Sequence, residues 1–212
     1  MNKVYISHLA DNRIKEYIES LGFELSLVKP MADIDDAISC HPDIYMCHLG
    51  KKLFSGDPAK LTHDYPGHAI YNGCSTGKYF IHNLKITDEK LLEEVDRIGL
   101  TKVHVAQGYA KCSCVVVDED SIITADRGIA KAAISAGMNV LVIDPKQVVL
   151  DGYPYGFIGG ASGKVGNTIL FNGDLRRHSN YNEIIDFIER RGASIKYFEE
   201  YPLTDIGSII EE

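Results

Sequence analysis

The sequence predicts an α/β fold: one domain over residues 1–212, built as an α/β propeller of five ββαβ units whose ring is closed by the C-terminal strand. Three observations predict it. A short apolar strand recurs five times. Four copies are followed by an amphipathic helix that stops on a glycine and then by another strand. The strand missing ahead of the first copy turns up at the end of the chain.

The five recurring strands are VYIS (4–7), LFSG (53–56), FIHN (80–83), SIIT (121–124) and ILFN (169–172). Their helices are NRIKEYIESLG, DEKLLEEVDRIG, GIAKAAISAG and NEIIDFIERRG, with apolar residues at helical spacing. Each ends on a glycine (Gly22, Gly99, Gly137, Gly192), the residue that enters the left-handed conformation of a C-cap without a Cβ clash. FELSLV, TKVHVA, MNVLVI and ASIKYF follow as third strands. The unit at 53–56 departs from the pattern. DPAKLTHDYPG holds Pro58 and Pro66, which leave room for about one helical turn, so its crossover is expected to be short.

First strands are read in DIYMCHL, AIYNGCST, AKCSCVVV and FIGGASGKV. The clearest unit is residues 108–144, where CSCVVV and SIIT flank the turn Asp118-Glu119-Asp120 and Asp126 stands at a helix N-cap. VYIS has no strand before it, and DIGSII (205–210) is the missing piece. Pairing of the two removes an open sheet edge. A doubly wound sheet is the alternative, since alternating strands and helices alone permit it.

The formal net charge of −8 is spread along the chain without a basic cluster, which disfavours a phosphate-backbone partner, so no nucleic-acid partner is expected. No apolar run approaches the roughly 20 residues of a membrane span, and MNKVYISHLA lacks a signal-peptide core. A cytoplasmic protein without a membrane partner is expected, with its five cysteines reduced. GGASGKVG and NGCSTGKY fail the phosphate-loop pattern and no dinucleotide fingerprint occurs, so no cofactor is expected. Cys40-His41 and Cys47-His48 stand at a spacing that matches no common zinc motif, so no metal is expected. Oligomeric state has no signature, because the chain carries no heptad seam.

Three motifs carry a family resemblance. HPDIYMCH (41–48) is similar to the Pro-Asp-x-φ-Phe strand of the guanidino-group-modifying enzymes, the penteins; IGGASG (158–163) resembles their glycine-rich strand, and DIGSIIEE (205–212) their C-terminal strand. With the fivefold repeat, the whole chain resembles that fold in its short single-domain form. The resemblance implies a cysteine thiolate that attacks a guanidinium carbon, a histidine that moves the proton and carboxylates that hold the cation. The chain departs at each point: Glu211 stands at the cysteine position, Tyr109 at the histidine position, Cys47-His48 where an acidic pair belongs, and GFIGGASG has no acid.

The implied reading is a pentein-like protein without guanidine hydrolase or amidinotransferase catalysis, acting as a scaffold or binding a small polar molecule. The alternative is a cysteine-dependent enzyme. In it Cys112 is the nucleophile, Lys111 favours its thiolate, Tyr109 or His41 donates the proton, Asp43 orients a cationic substrate, and Gly73 or Gly160 supplies an amide to an oxyanion. Cys112 and Cys114 are read as C-x-C on one strand face, with Cys74 equivalent to Cys112; either they are functional or they are small buried hydrophobes. Aligned on their apolar ends, the first strands put Ser75, Ser113, Ser162 and Ser208 in one column. That column is either a ring of ligand-binding hydroxyls or the result of crowding near an axis.

Overall fold

The computed structural model describes residues 2–212. In chain order the first unit holds β1 (Lys3–Ser7), α1 (Asn12–Ser20) and β2 (Glu24–Val28). The second holds α2 (Pro42–Tyr45), β3 (Met46–His48) and β4 (Leu53–Ser55). Then come β5 (Cys74–Ser75), β6 (Tyr79–His82), α3 (Glu89–Ile98) and β7 (Thr101–His104). The next unit runs α4 (Ala110–Ser113), β8 (Cys114–Asp118), β9 (Ser121–Thr124), α5 (Arg127–Ser135) and β10 (Asn139–Val142). The chain ends with β11 (Ser162–Val165), β12 (Thr168–Phe171), α6 (Tyr181–Glu189), β13 (Ser194–Lys196) and β14 (Ile210–Glu211).

These strands form small separate sheets: β14-β1-β2, β3-β4, β5-β6-β7, β8-β9-β10 and β11-β12-β13. The architecture is mixed α/β, and among the described residues no parallel sheet runs through all units, which excludes the doubly wound alternative. In each three-stranded sheet the middle strand pairs antiparallel with one neighbour and parallel with the other. A parallel neighbour requires a crossover, and α1, α3, α5 and α6 supply it.

Local chemistry sets the helix ends. Asp11, Asp88 and Asp126 cap α1, α3 and α5 by accepting backbone N–H groups of the first turn. Gly22, Gly99, Gly137 and Gly192 follow the helices at φ between +72° and +90°, where a side chain would be strained. Each helix buries one stripe against its sheet: Ile14 and Ile18, Leu91 and Val95, Ile129 and Ala133, Ile184 and Ile188. Each larger side chain of these pairs contributes about 1.5–3 kcal/mol. The short unit has a 3₁₀ turn, Pro58–Lys60, in place of a helix.

The C-terminal strand lies antiparallel on β1, with Val4 opposite Glu211 and Tyr5 opposite Ile210. The residues before it bond to the neighbouring unit: Ser208 N donates to Gly160 O (2.8 Å) and Ile209 N to Ser162 O (3.0 Å). Further bonds run between the stretches at or just ahead of β3, β5, β8, β11 and β14. Asp43 N donates to Gly207 O, Gly160 N to Cys112 O and Lys111 N to Asn72 O, while the Cys47 thiol donates to Gly73 O. With the Ser208 bond, this circuit touches every sheet.

The first-strand stretches differ from the expectation. PDIY and AKCS form short helical turns, and the strand begins only afterwards. Cys112 therefore lies in α4 and Cys114 in β8, so the two thiols do not share a strand face. The cause is tertiary: Asn72 Oδ1 accepts from Lys111 N (2.9 Å) and Cys112 N (3.2 Å), and Ser113 N donates to Tyr109 O. Nor is Cys74 equivalent to Cys112, because Cys74 is already within β5, opposite Ile81. Among the described residues no helix is long and apolar enough to cross a membrane.

Candidate functional site

The turns ahead of β3, β5, β8 and β14 bring together side chains far apart in sequence. Pro42 at the start of α2 leaves His41 extended and Asp43 in the first turn, pointing at α4 and the C-terminal segment. Asp43 Oδ2 accepts from the Cys112 thiol at 2.9 Å and from Ser208 Oγ at 2.6 Å. Asn72 Nδ2 reaches the same sulfur at 3.5 Å, and Lys111 Nζ donates to Ser208 Oγ at 3.1 Å. Glycines make this approach possible: a Cβ on Gly159 would stand 2.4 Å from the carbonyl oxygens of Lys111 and Cys114, and one on Gly160 would stand 2.0 Å from Asp205 Oδ1. That packing explains the glycine-rich IGGASG stretch.

Burial governs the charges here. Asp43 and Ser208 are 0% exposed, and His41 and Cys112 only 3%. Desolvation pushes the Asp43 carboxyl up, opposed by His41, Cys112, Ser208 and Lys111. The Cys112 thiol is pushed well up, first by burial and then by Asp43 and Asp205, so it is held as a hydrogen-bond donor. Lys111, expected to favour the thiolate, directs its ammonium to Ser208 instead. His41 is lowered to about 4 by burial, against the pull of Asp43, and is neutral near pH 7. Its 3.9 Å approach to Asp205 is therefore not an ion pair. Asp205 accepts from Phe157 N and Gly207 N, yet burial raises it to about 6.

The structure thus brings Asp43, Cys112 and Ser208 into direct contact, with His41 beside them. Tyr109 is diverted. Its hydroxyl bonds His68 Nε2, and its ring stacks on that imidazole with centroids 5.7 Å apart, near Phe157 and Tyr65. Burial raises its phenol, which opposes proton donation as a phenolate-forming acid near neutral pH. The amides of Gly73 and Gly160 are engaged by Tyr71 O and Cys112 O rather than free for an oxyanion. The four serines do not share one level. Ser113 and Ser208 precede their strands, while Ser162 and Ser75 stand within β11 and β5, opposite Phe171 and Phe80. Ser162 Oγ bonds Gly159 O, and Ser113 Oγ is buried without a partner.

A cavity of about 440 Å³ opens between β3, β4, β5, β8, β11 and β14, so every sheet contributes to it. Ser75 and Lys111 line it, with His48, Lys164, Asp118 and Glu211 among its charged and titratable groups. Lys111 belongs to both places: it lines the cavity, and its ammonium donates to Ser208 Oγ in the buried cluster. Asn72 and Asp205 escaped the sequence reading. Asn72 precedes a glycine in a tight turn and Asp205 precedes Gly207 by two residues, signals that mark turns but not a shared site.

The match to a family of unknown function (DUF6873) extends over residues 52–210, more than half of the chain. The chain belongs to DUF6873. No curated protein matches the sequence. Among solved structures the chain is similar to dimethylarginine dimethylaminohydrolase, crystallised as an adduct with 4-chloro-2-hydroxymethylpyridine. The TM-score is 0.53 at 11% identity, with 93% of this chain and 92% of that chain covered. At that identity the likeness is one of fold, and it gives this DUF6873 chain a pentein-like fold.

Proposed function

We propose that the sheets are the blades of a pseudo-fivefold propeller, and that the protein binds a small polar molecule in the axial cavity rather than hydrolysing guanidines through Cys112. The circuit of turn-to-turn hydrogen bonds supports the ring. The observation that carries the functional reading is the state of Cys112. A buried thiol that donates to a buried carboxylate is a poor nucleophile, since the thiolate is the reactive form.

The cavity, by contrast, is open and carries both signs of charge. Lys164 and Lys51 suit a carboxylate, and Asp118 and Glu211 suit an ammonium or guanidinium. A zwitterion of amino-acid size is therefore the fitting class of ligand. Calorimetric titration with arginine, citrulline and agmatine tests this. Arginine or citrulline is expected to bind, and Lys164→Met and Glu211→Gln are each expected to weaken binding about tenfold or more, the loss of one charge-assisted contact. Binding that ignores both substitutions, or no binding by any of the three, would reject the site. Turnover of arginine or methylated arginine that disappears in Cys112→Ser would reject the absence of thiolate chemistry.

A further inference from the structure

Three buried side-chain atoms among the described residues lack a hydrogen-bond partner, and two of them, His41 Nδ1 and Asp43 Oδ1, stand in the cluster around Cys112. Leaving such groups unpaired costs about 1–3 kcal/mol each, so two orphans side by side point to something that completes them. Asp205 Oδ1 is 3.9 Å from His41 Nδ1, beyond hydrogen-bond reach. One ligand atom each from His41, Asp43 and Cys112 lies within 4.8 Å of the others. The edges of a tetrahedron built on zinc bonds of about 2.0–2.3 Å are roughly 3.3–3.7 Å long, so metal binding draws the three donors together.

We propose that His41, Asp43 and Cys112 form a zinc site, with Nδ1, a carboxylate oxygen and the sulfur as ligands and Ser208 Oγ or water in the fourth position. The donor set selects the metal. Imidazole and thiolate favour a borderline-soft divalent ion, whereas magnesium and calcium take oxygen ligands. Charge agrees as well, since a carboxylate and a thiolate neutralise a divalent cation in a place where an uncompensated charge is costly. On binding, the S–H bond of Cys112 breaks, a Zn–S bond forms and the proton passes to water; nothing is oxidised or reduced. Asp43 then exchanges its contact with the thiol proton for the metal. The site is distinct from the axial cavity and does not depend on a ligand there.

The full chain, stripped with a chelator, is titrated with Co²⁺ as a spectroscopic probe. One Co²⁺ per chain is expected, with sulfur-to-cobalt charge-transfer absorption that Zn²⁺ displaces. Cys112→Ser should abolish the band. His41→Gln and Asp43→Asn should each weaken binding by more than the ~10–100-fold typical of losing an outer-shell partner. Because these residues are buried, X-ray absorption of the zinc-loaded native chain provides a readout that needs no variant: one sulfur at about 2.3 Å with nitrogen or oxygen neighbours. Absence of the charge-transfer band, its survival in Cys112→Ser, or a zinc shell without sulfur would overturn the assignment.

Discussion

Gly207 is the residue on which the C-terminal turn depends. Its φ is +72°, and a Cβ there would lie 2.0 Å from His41 Cβ and 2.4 Å from His41 Cα. Two independent costs follow for Gly207→Ala: about 1–2 kcal/mol for a side chain in the left-handed region, and about 1–3 kcal/mol for pushing a packed neighbour aside. Urea unfolding is expected to show a loss of at least about 2 kcal/mol; a loss below ~0.5 kcal/mol would contradict the close approach of the two backbones. Ser208, the next residue, holds φ +73° without being glycine. Its bonds to Asp43 and Lys111, and its amide bond to Gly160, hold it there, so strain and cluster chemistry meet at one position.

Among the elements, the C-terminal segment carries weight out of proportion to its length. Residues 203–212 bury Leu203, Ile206, Ile209 and Ile210, worth roughly 6–12 kcal/mol together at about 1.5–3 kcal/mol each, comparable to the whole stability of a typical domain. Deletion of 203–212 also exposes one edge of β1 and removes Asp205 and Ser208 from the cluster. The truncated chain is expected to lose its cooperative thermal transition by circular dichroism, and retention of a transition near the native temperature would contradict the role given to β14. This strand was legible in the sequence, as were the helices and their glycines, because apolar period and cap chemistry are local. The split of AKCS from the following strand was not legible. It depends on Asn72, whose side chain arrives from another unit to bond two amides of the turn. Likewise Asp43 and Ser208 were each picked out separately, but no period links residues 165 positions apart. Tyr109 is drawn away by His68, a partner 41 residues distant that no local pattern announces.

At the scale of the whole molecule, buried titratable groups set the response to acid. His41 and His82 are both lowered to about 4 by burial, whereas an unfolded histidine titrates near ~6.5. Between those values the unfolded chain binds two protons that the folded chain refuses, so stability falls as pH falls through the window. Asp205 has the opposite sign. Raised to about 6, against ~3.9 unfolded, it takes up its proton first in the folded state, so acidification through that range favours folding; Asp43 is raised in the same direction. Asp205 offsets one of the two histidines and Asp43 acts in the same direction, so the native protein is expected to lose less stability between pH ~6 and ~4 than the histidines alone would remove. His82 offers a way to unmask the balance, because it lies outside the cluster. Its Nε2 meets Gly108 O at 2.9 Å and its Nδ1 meets Thr87 Oγ1 at 2.7 Å, contacts that hold a neutral imidazole donating through Nε2. His82→Gln keeps an amide donor for the Gly108 carbonyl but removes one acid-sensitive group. Relative to the native chain, the variant should gain about 1.4 kcal/mol per pH unit on acidification, reaching about 3 kcal/mol across the window. Urea unfolding at pH values of about 7, 5.5 and 4.5 measures that difference directly. A difference that stays constant with pH would mean that His82 takes up its proton as readily folded as unfolded, and that the acid response of this fold arises elsewhere.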